Sequence, residues 1–343
     1  MPPAAIHCSP MRKLIIQIPA YNEEGTIAEA LRALPRRVPG FDSVEWLVID
    51  DGSVDHTVEV ALQAGADRVV SLSTNQGLAR AFMAGIEASL RAGAEVIVNT
   101  DADNQYDASA IPELVRPILE GRAQIVVGAR PISKIADFSI VKKLLQRLGS
   151  AAVRIASGTT IPDAPSGFRA IHREAALRLC VFNRFTYTLE MIIQAGRKNI
   201  PISWVPIQVN RVMRPSRLAD STAIYVLRSV LTILRIFILY KPLRFFLWLG
   251  TLMLVPGLLI GVQFLVSYLL GRGSGHVQSL ILSAILVVTA SISYVAGILA
   301  DLVAANRSLL EDLRTRLLRT EIESSRPEAA SGSGQTPRMA RTG

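Results

Sequence analysis

Short apolar runs alternate with stretches of helical periodicity through the first 130 residues. The runs at 14–18, 44–49, 68–72, 95–100 and 124–127 have the length and apolar content of buried strands. Between them, apolar residues recur at three and four positions, as in Ile27, Ala30, Leu31 and Leu34. This spacing predicts helices over 25–34, 54–63 and 110–120. A further helix after Gly77 carries Gly77, Ala81 and Gly85 at four-residue spacing, a small-residue face suited to lying close on a sheet. Strands alternating with helices in this way predict an α/β fold with a mostly parallel sheet covered on both faces.

The second half is less regular. Residues 134–156 read as a helix in which Lys142, Lys143 and Arg147 interleave with apolar positions, suited equally to a protein surface or to lipid. Residues 161–169 carry two prolines and a glycine and read as a loop. A helix near 189–196 and a strand near 202–209 follow. Residues 218–243 have the pattern of an amphipathic helix at a membrane surface. Residues 245–271 and 277–300 then carry no charged side chain. About 20 apolar residues cross a bilayer, so the pattern predicts transmembrane helices over 244–271 and 278–301. A charged helix over 302–323 and a disordered Ser/Gly/Pro/Arg-rich tail over 324–343 complete the expected organisation, with the α/β domain over 11–217.

Composition agrees with that division. The chain of 343 residues is 50% hydrophobic, with a mean hydropathy of +0.34, high for a soluble enzyme. The net charge of +9 is concentrated ahead of the first span, in Arg211, Arg214, Arg217, Arg228, Arg235, Lys241 and Arg244 against the single acid Asp220. Basic residues there mark a cytoplasmic side and suit anionic headgroups. No nucleic-acid recognition motif accompanies them, so a nucleic-acid partner is not expected. Both termini are expected inside and the 272–276 turn outside. Cys8 and Cys180 form no disulfide framework or ligand cluster, as in a reducing compartment. Residues 1–10 lack the pattern of a signal peptide, and Met11 is an alternative start.

The candidate chemistry lies at strand ends. Asp101 and Asp103 follow the fourth strand, separated by one residue. Two carboxylates side by side cost free energy unless a cation lies between them, and Mg²⁺ or Mn²⁺ held this way keeps positions open for diphosphate oxygens. The same pattern also serves a solvated turn. The first, second, fourth and fifth strands all end in polar clusters, the edge where parallel sheets bind ligands, which favours the metal reading. No G-x-G-x-x-G follows the first strand and no P-loop occurs, so dinucleotide and P-loop readings lose their main support.

Four clusters occur in order: Pro19-Ala20-Tyr21-Asn22-Glu23, Asp50-Asp51-Gly52-Ser53, Asp101-Ala102-Asp103-Asn104-Gln105 and Ser166-Gly167-Phe168-Arg169. Together they resemble family 2 glycosyltransferases with the GT-A fold, a Rossmann-like nucleotide-diphospho-sugar transferase sheet. Within that family the chain is most similar to polyprenyl-phosphate sugar transferases of the dolichyl-phosphate mannosyltransferase-like and GtrB-like kind. The resemblance implies a nucleotide-sugar pocket walled by Pro19, Tyr21 and Glu23, with Asp50, Asp101 and Ala102 also binding the donor. Asp51 and Ser53 fit turn bracing and helix capping as well as any ligand role. It implies a metal held by Asp101, Asp103 and Gln105, and Arg130 on a loop beside the diphosphate.

On the acceptor side the resemblance implies a polyprenyl phosphate. Such a phosphate is already an anion, so it needs cationic positioning more than a general base. Arg211, Arg214, Ser216 and Arg217 are candidates, with positive-inside topology as the competing account. Asp163 is placed as a base, a phosphate-orienting group or a turn former. The chain lacks the Q-x-x-R-W motif of processive relatives and has only two spans, which favours single transfer. The implied protein is an inverting, metal-dependent hexosyltransferase, integral to the membrane with its catalytic domain cytoplasmic, whose lipid-facing helices allow a homo-oligomer. The competing expectations are transfer to another lipid or glycan acceptor, and a catalytically silent membrane scaffold.

Overall fold

The computed structural model describes residues 11–131, 150, 151, 153, 154, 157–181, 187–210, 235, 238, 241–271 and 277–324. The expected helix over 134–156 lies mostly outside the described residues, as do almost all of 218–240, the 272–276 turn and the tail from 325.

Seven strands form one sheet: β1 (Lys13–Ala20), β2 (Ser43–Asp50), β3 (Arg68–Ser71), β4 (Val96–Asn99), β5 (Ile125–Ala129), β6 (Arg169–His172) and β7 (Ile202–Pro206). Their spatial order is β3-β2-β1-β4-β6-β5-β7. All neighbours are parallel except β6, which runs antiparallel between β4 and β5. The sequence pattern assigned 161–169 to a loop and anticipated no strand at β6. Four residues are too short a run for periodicity to register, and β6 exists because it fills the gap between two buried strands.

Helices α1 (Ile27–Ala33), α2 (Thr57–Gln63) and α4 (Ile111–Leu119) cover one face of the sheet. Helices α3 (Leu78–Arg91), α5 (Arg173–Arg178) and α6 (Tyr187–Arg197) cover the other. The small face of α3 lies on the sheet as its spacing predicted, although Gly77 itself precedes the helix as its N-cap. A Cβ added at Gly85 would stand 2.6 Å from the Gln17 amide oxygen and 2.7 Å from Ile49.

Helices α7 (Pro242–Leu269) and α8 (Val277–Ser324) form a hairpin and are long and apolar enough to cross a membrane. Most of their apolar side chains are exposed. Small residues bring them together: Gly250 lies under Tyr294, and the Ser283 hydroxyl donates to the Gly257 carbonyl at 2.7 Å. The span and the charged helix, read as separate elements in the sequence, are one uninterrupted helix in α8. Its last turns pack on the α/β domain, where Leu318 and Ile322 join the core beneath α3 and α5.

One buried cation ties this layout together. Arg169, at the start of β6, is wholly buried, and its guanidinium is held by backbone carbonyls. Its guanidinium donates to the carbonyls of Ser166 (2.8 Å), Thr188 (2.7 Å) and Ala164 (2.7 Å). Burial lowers its pKa to about 10, still charged at neutral pH. It therefore clamps the 164–166 turn to the start of α6. Arg169→Met leaves the buried carbonyls of Ser166 and Ala164 and the part-buried carbonyl of Thr188 without this donor, and at about 1–3 kcal/mol for each buried group the loss should reach about 2 kcal/mol or more. Thermal unfolding of the purified variant should show a clearly lowered Tm, and a Tm unchanged from the parent would refute the clamp.

Candidate active site

The pairing register decides which residues meet. Ala20 lies opposite Asp50 and Gln17 opposite Asn99, so β1, β2 and β4 end at one edge. Because β6 runs the other way, Asn99 faces Arg169, and the turn before β6 reaches the same edge. The end of β5 supplies Arg130 there as well. The four sequence clusters thus converge.

At the ends of β1 and β2 the contacts are those of a braced rim. The Asn22 amide donates to Ser53 Oγ at 2.9 Å, and Asn22 Oδ1 accepts from the Val54 amide at 3.0 Å. Asp50, buried, accepts from the Ser53 amide at 2.9 Å. Asp51 accepts from the amides of Gln76 and Gly77, both at 2.8 Å, and so holds the loop before α3. Its bonds are those of a brace. Glu23 accepts from Thr26 Oγ1 at 2.7 Å, while its amide donates to Thr57. Pro19 is buried in β1, whereas Tyr21 just beyond is 39% exposed and available for stacking.

Asp101 is the electrostatic centre of the edge. Burial, then the charge of Asp103, raise its pKa to about 6, against the opposing influence of Arg130, a hydrogen bond from Tyr106 and Arg169. Tyr106 is buried, stacks on Phe168 with centroids 5.2 Å apart, and accepts from the Gly167 amide at 2.9 Å. Gly167 has no room for a side chain: an added Cβ would stand 2.9 and 3.1 Å from the two Asp101 oxygens and 3.1 Å from the Tyr187 hydroxyl. That hydroxyl accepts from the Asn99 amide at 3.2 Å, and Asn99 also donates to the Gly167 carbonyl at 2.9 Å and accepts from Gln17 at 2.9 Å. Ala102 is buried between the two acids. Asp103 folds back to accept from the Gln105 amide at 3.1 Å, and Gln105 is part-buried beside it.

Among the described residues, no three His, Cys, Asp or Glu side chains converge as a complete metal cage. The two carboxylates nonetheless suit a hard divalent cation. Their repulsion and burial already raise Asp101, a cost that a cation between them removes, and ligands supplied by a bound diphosphate would complete an oxygen shell.

Arg130 and Asp163, singled out separately in the sequence, are partners. Arg130 Nε lies 2.7 Å from Asp163 Oδ2 and Nη2 lies 3.0 Å from Oδ1, and the Arg130 amide adds a third bond at 3.1 Å. Burial works against the Arg130 charge, but the bonds to Asp163 outweigh it and raise its pKa. Asp163 is wholly buried, with both oxygens turned to Arg130, an arrangement that aims a cation and does not present a free base. Arg211, Arg214, Ser216 and Arg217 lie outside the described residues. The segment leading to them does not: the Asn210 amide donates to the Gln105 carbonyl at 2.9 Å, and its side chain donates to Asn104 at 2.9 Å and Tyr106 at 3.3 Å.

The supporting layer of Gln17, Asn99, Tyr106, Arg169 and Tyr187 had not been assigned roles from sequence. Gln17 and Asn99 carried a legible signal as lone amides in otherwise apolar strands. Tyr106 and Tyr187 carried none, because what matters is where their hydroxyls meet.

Comparison with known proteins agrees with this geometry. A model described as Glycosyl transferase family 2 matches residues 15–179. The chain is 30% identical over 221 residues to an undecaprenyl-phosphate mannosyltransferase of Micrococcus luteus, covering 61% of this chain and 88% of that protein. It is 26% identical over 213 residues to a UDP-N-acetylglucosamine–dolichyl-phosphate N-acetylglucosaminyltransferase of Methanococcus voltae, covering 56% and 83%. Crystal structures of glucosyl-3-phosphoglycerate synthase from Mycobacterium tuberculosis share the fold. A complex with phosphoglyceric acid gives a TM-score of 0.52 at 25% identity, over 65% of this chain and 80% of that one. A complex with Mn²⁺, UDP-glucose and phosphoglyceric acid gives 0.50 at 26%, over 65% and 79%. With the strand-end acids, the GT-A sheet and these relatives in agreement, the chain belongs to glycosyl transferase family 2 and is a glycosyltransferase.

Proposed function

We propose that this enzyme moves one hexose from a UDP- or GDP-sugar to a polyprenyl phosphate at the cytoplasmic face of a membrane. The observation that carries the donor half is the Asp101–Asp103 pair at the end of β4, with the Arg130 guanidinium held by Asp163 within its electrostatic reach. The acceptor half is supported by the polyprenyl-phosphate relatives and by the two apolar helices.

In this reading Asp101 and Asp103, with Gln105, hold Mg²⁺ or Mn²⁺. The cation supplies neutralising charge for the departing diphosphate. Tyr21 and Pro19 wall the nucleotide, Glu23 and Asp50 accept from ribose or base, and Arg130 faces the diphosphate. A phosphate oxygen of the acceptor attacks the anomeric carbon from the side opposite the leaving group. The bond from that carbon to the diphosphate breaks, the electron pair leaves with the nucleoside diphosphate, and the configuration inverts. No proton need be removed from the nucleophile, in keeping with an Asp163 committed to Arg130. Asn210, bonded to the 104–106 turn, immediately precedes in sequence the segment with Arg211, Arg214, Ser216 and Arg217, which this reading assigns to the acceptor phosphate.

Purified protein, polyprenyl phosphate and labelled UDP- or GDP-sugars with Mg²⁺ or Mn²⁺ should yield a labelled, mild-acid-labile lipid. Asp103→Ala should lower that rate by about 100-fold or more. Donor turnover without lipid labelling would discard the acceptor, and no turnover with any donor would discard the enzyme reading.

The raised pKa of Asp101 sets a pH signature. The pKa of about 6 means that a proton competes with the cation below that pH. Mn²⁺ affinity, read by electron paramagnetic resonance between pH 5 and 8, should fall as the pH drops through about 6 and level off above 7. Asp101→Asn should abolish the slope, and a flat profile in the parent protein would contradict the metal assignment.

For topology, a cysteine replacing Ser274 should be labelled from outside intact cells by an impermeant thiol reagent. Protection in intact cells with labelling after permeabilisation would reverse the orientation.

A further inference from the structure

The first charge after the apolar stretch of α8 is Asp301, yet the helix continues unbroken to Ser324 with neither glycine nor proline after Gly297. Its ties to the catalytic domain follow a definite order. Arg307 pairs with Glu190 at 2.5 Å, and Glu311 pairs with Lys198 at 3.0 Å. Arg314 then donates to the Leu179 carbonyl at 3.1 Å, and Arg319 pairs with Glu174 at 2.5 Å.

These partners lie at different heights on the sheet. Glu190 is on the first turn of α6, beside Tyr187, whose hydroxyl is at the strand-end site. Lys198 closes the far end of α6. Glu174 belongs to α5, which starts at the opposite edge, where the Arg173 amide donates to the Glu95 carbonyl just before β4. So α8 descends the domain from the site edge to the far edge. At 1.5 Å per residue, Arg307 is about 9 Å beyond Asp301 and Arg319 about 18 Å farther. The edge carrying Asp101 is therefore the one nearer the apolar stretch.

Glu190 and Glu311 are nearly buried, at 3% and 7% exposure. Burying charges gains little over packing apolar side chains, whereas it penalises any arrangement that separates the partners. Sited at both ends of α6, these pairs select one height and one rotation of α8 against the domain.

We propose that the second half of α8 is a strut that sets the height and tilt of the catalytic sheet over the bilayer. Arg307 and Glu190 are its joint and act as positioning residues for lipid-borne acceptor. The proposal rests on the reading that the acceptor is membrane-bound. The strut keeps the strand ends within reach of a phosphate that cannot leave the membrane surface, and donor binding does not depend on it.

The test uses the full chain in lipid nanodiscs, with Cys8 replaced by serine and a fluorophore on Leu62→Cys, an exposed position of α2. Seven helix-forming residues inserted between Ala304 and Ala305 add about 10 Å while turning the helix by only about 20°. Energy transfer to labelled headgroups should report a separation increased by about 10 Å. Transfer to polyprenyl phosphate should fall tenfold or more, with nucleotide affinity unchanged. Arg307→Glu, which sets a third acid beside Glu190 and Glu311, should likewise lower lipid transfer and spare nucleotide affinity, and Arg307→Lys should restore transfer. An unchanged separation after the insertion overturns the strut. So does a loss of nucleotide affinity in step with transfer, because α8 would then only stabilise the fold. If the parent protein transfers no sugar to lipid, the acceptor reading fails, and the separation measurement still decides the strut.

Discussion

Holding Asp101 against Asp103 in a partly dry site is the constraint around which the catalytic domain is built. Carboxylates so placed resist ionisation, which is why Asp101 is raised to about 6. The surroundings moderate that resistance without removing it. Arg130 and Arg169 contribute positive potential, and Tyr106 donates a hydrogen bond. Gly167 leaves the space that the carboxylate fills. A site fully neutralised by its own cations would have no use for a divalent ion, and one with no support would not fold. The residual cost is what a divalent cation bound between the two carboxylates would relieve.

That constraint explains the unusual interior. Gln17, Asn99 and Arg169 are wholly buried in the middle of the sheet, where apolar side chains would pack at less risk. Each is bonded in a chain that ends at Gly167 or at the carbonyls around it. The bonded donors of these groups favour one arrangement in a low-dielectric core, because any alternative strands a donor or a carbonyl; the Gln17 amide oxygen is the exception, buried without a partner. The antiparallel insertion of β6 belongs to the same device. By reversing direction between two parallel strands, it brings the turn before it to the edge where β4 ends.

The apolar hairpin of α7 and α8 is joined to the sheet by a different device. Continuation of α8 into charged turns docked on α3, α5 and α6 ties the apolar hairpin to the domain through one element. Ion pairs suit that joint, since they discriminate between registers that an apolar face would tolerate.

How much of this was legible in the residue order follows from the range of each interaction. Strand and helix periods are local, so the alternation through residue 129, the two apolar helices and the polar clusters at strand ends could all be read directly. Asp101 and Asp103 were recognisable because their meaning lies in a one-residue spacing. The Arg130–Asp163 pair was visible only as two separate residues, because their 33-position separation is closed by the sheet and not by local conformation. β6 was hidden for a similar reason: a four-residue strand is stabilised by its neighbours, not by its own pattern. The unbroken course of α8 was obscured by a change of composition, from apolar to charged residues, that looks like a boundary but leaves helical hydrogen bonding untouched. Sequence alone determined which groups the chain would offer at its strand ends. Tertiary structure decided which of them meet, because buried charge and hydrogen bonding are settled by distance in space.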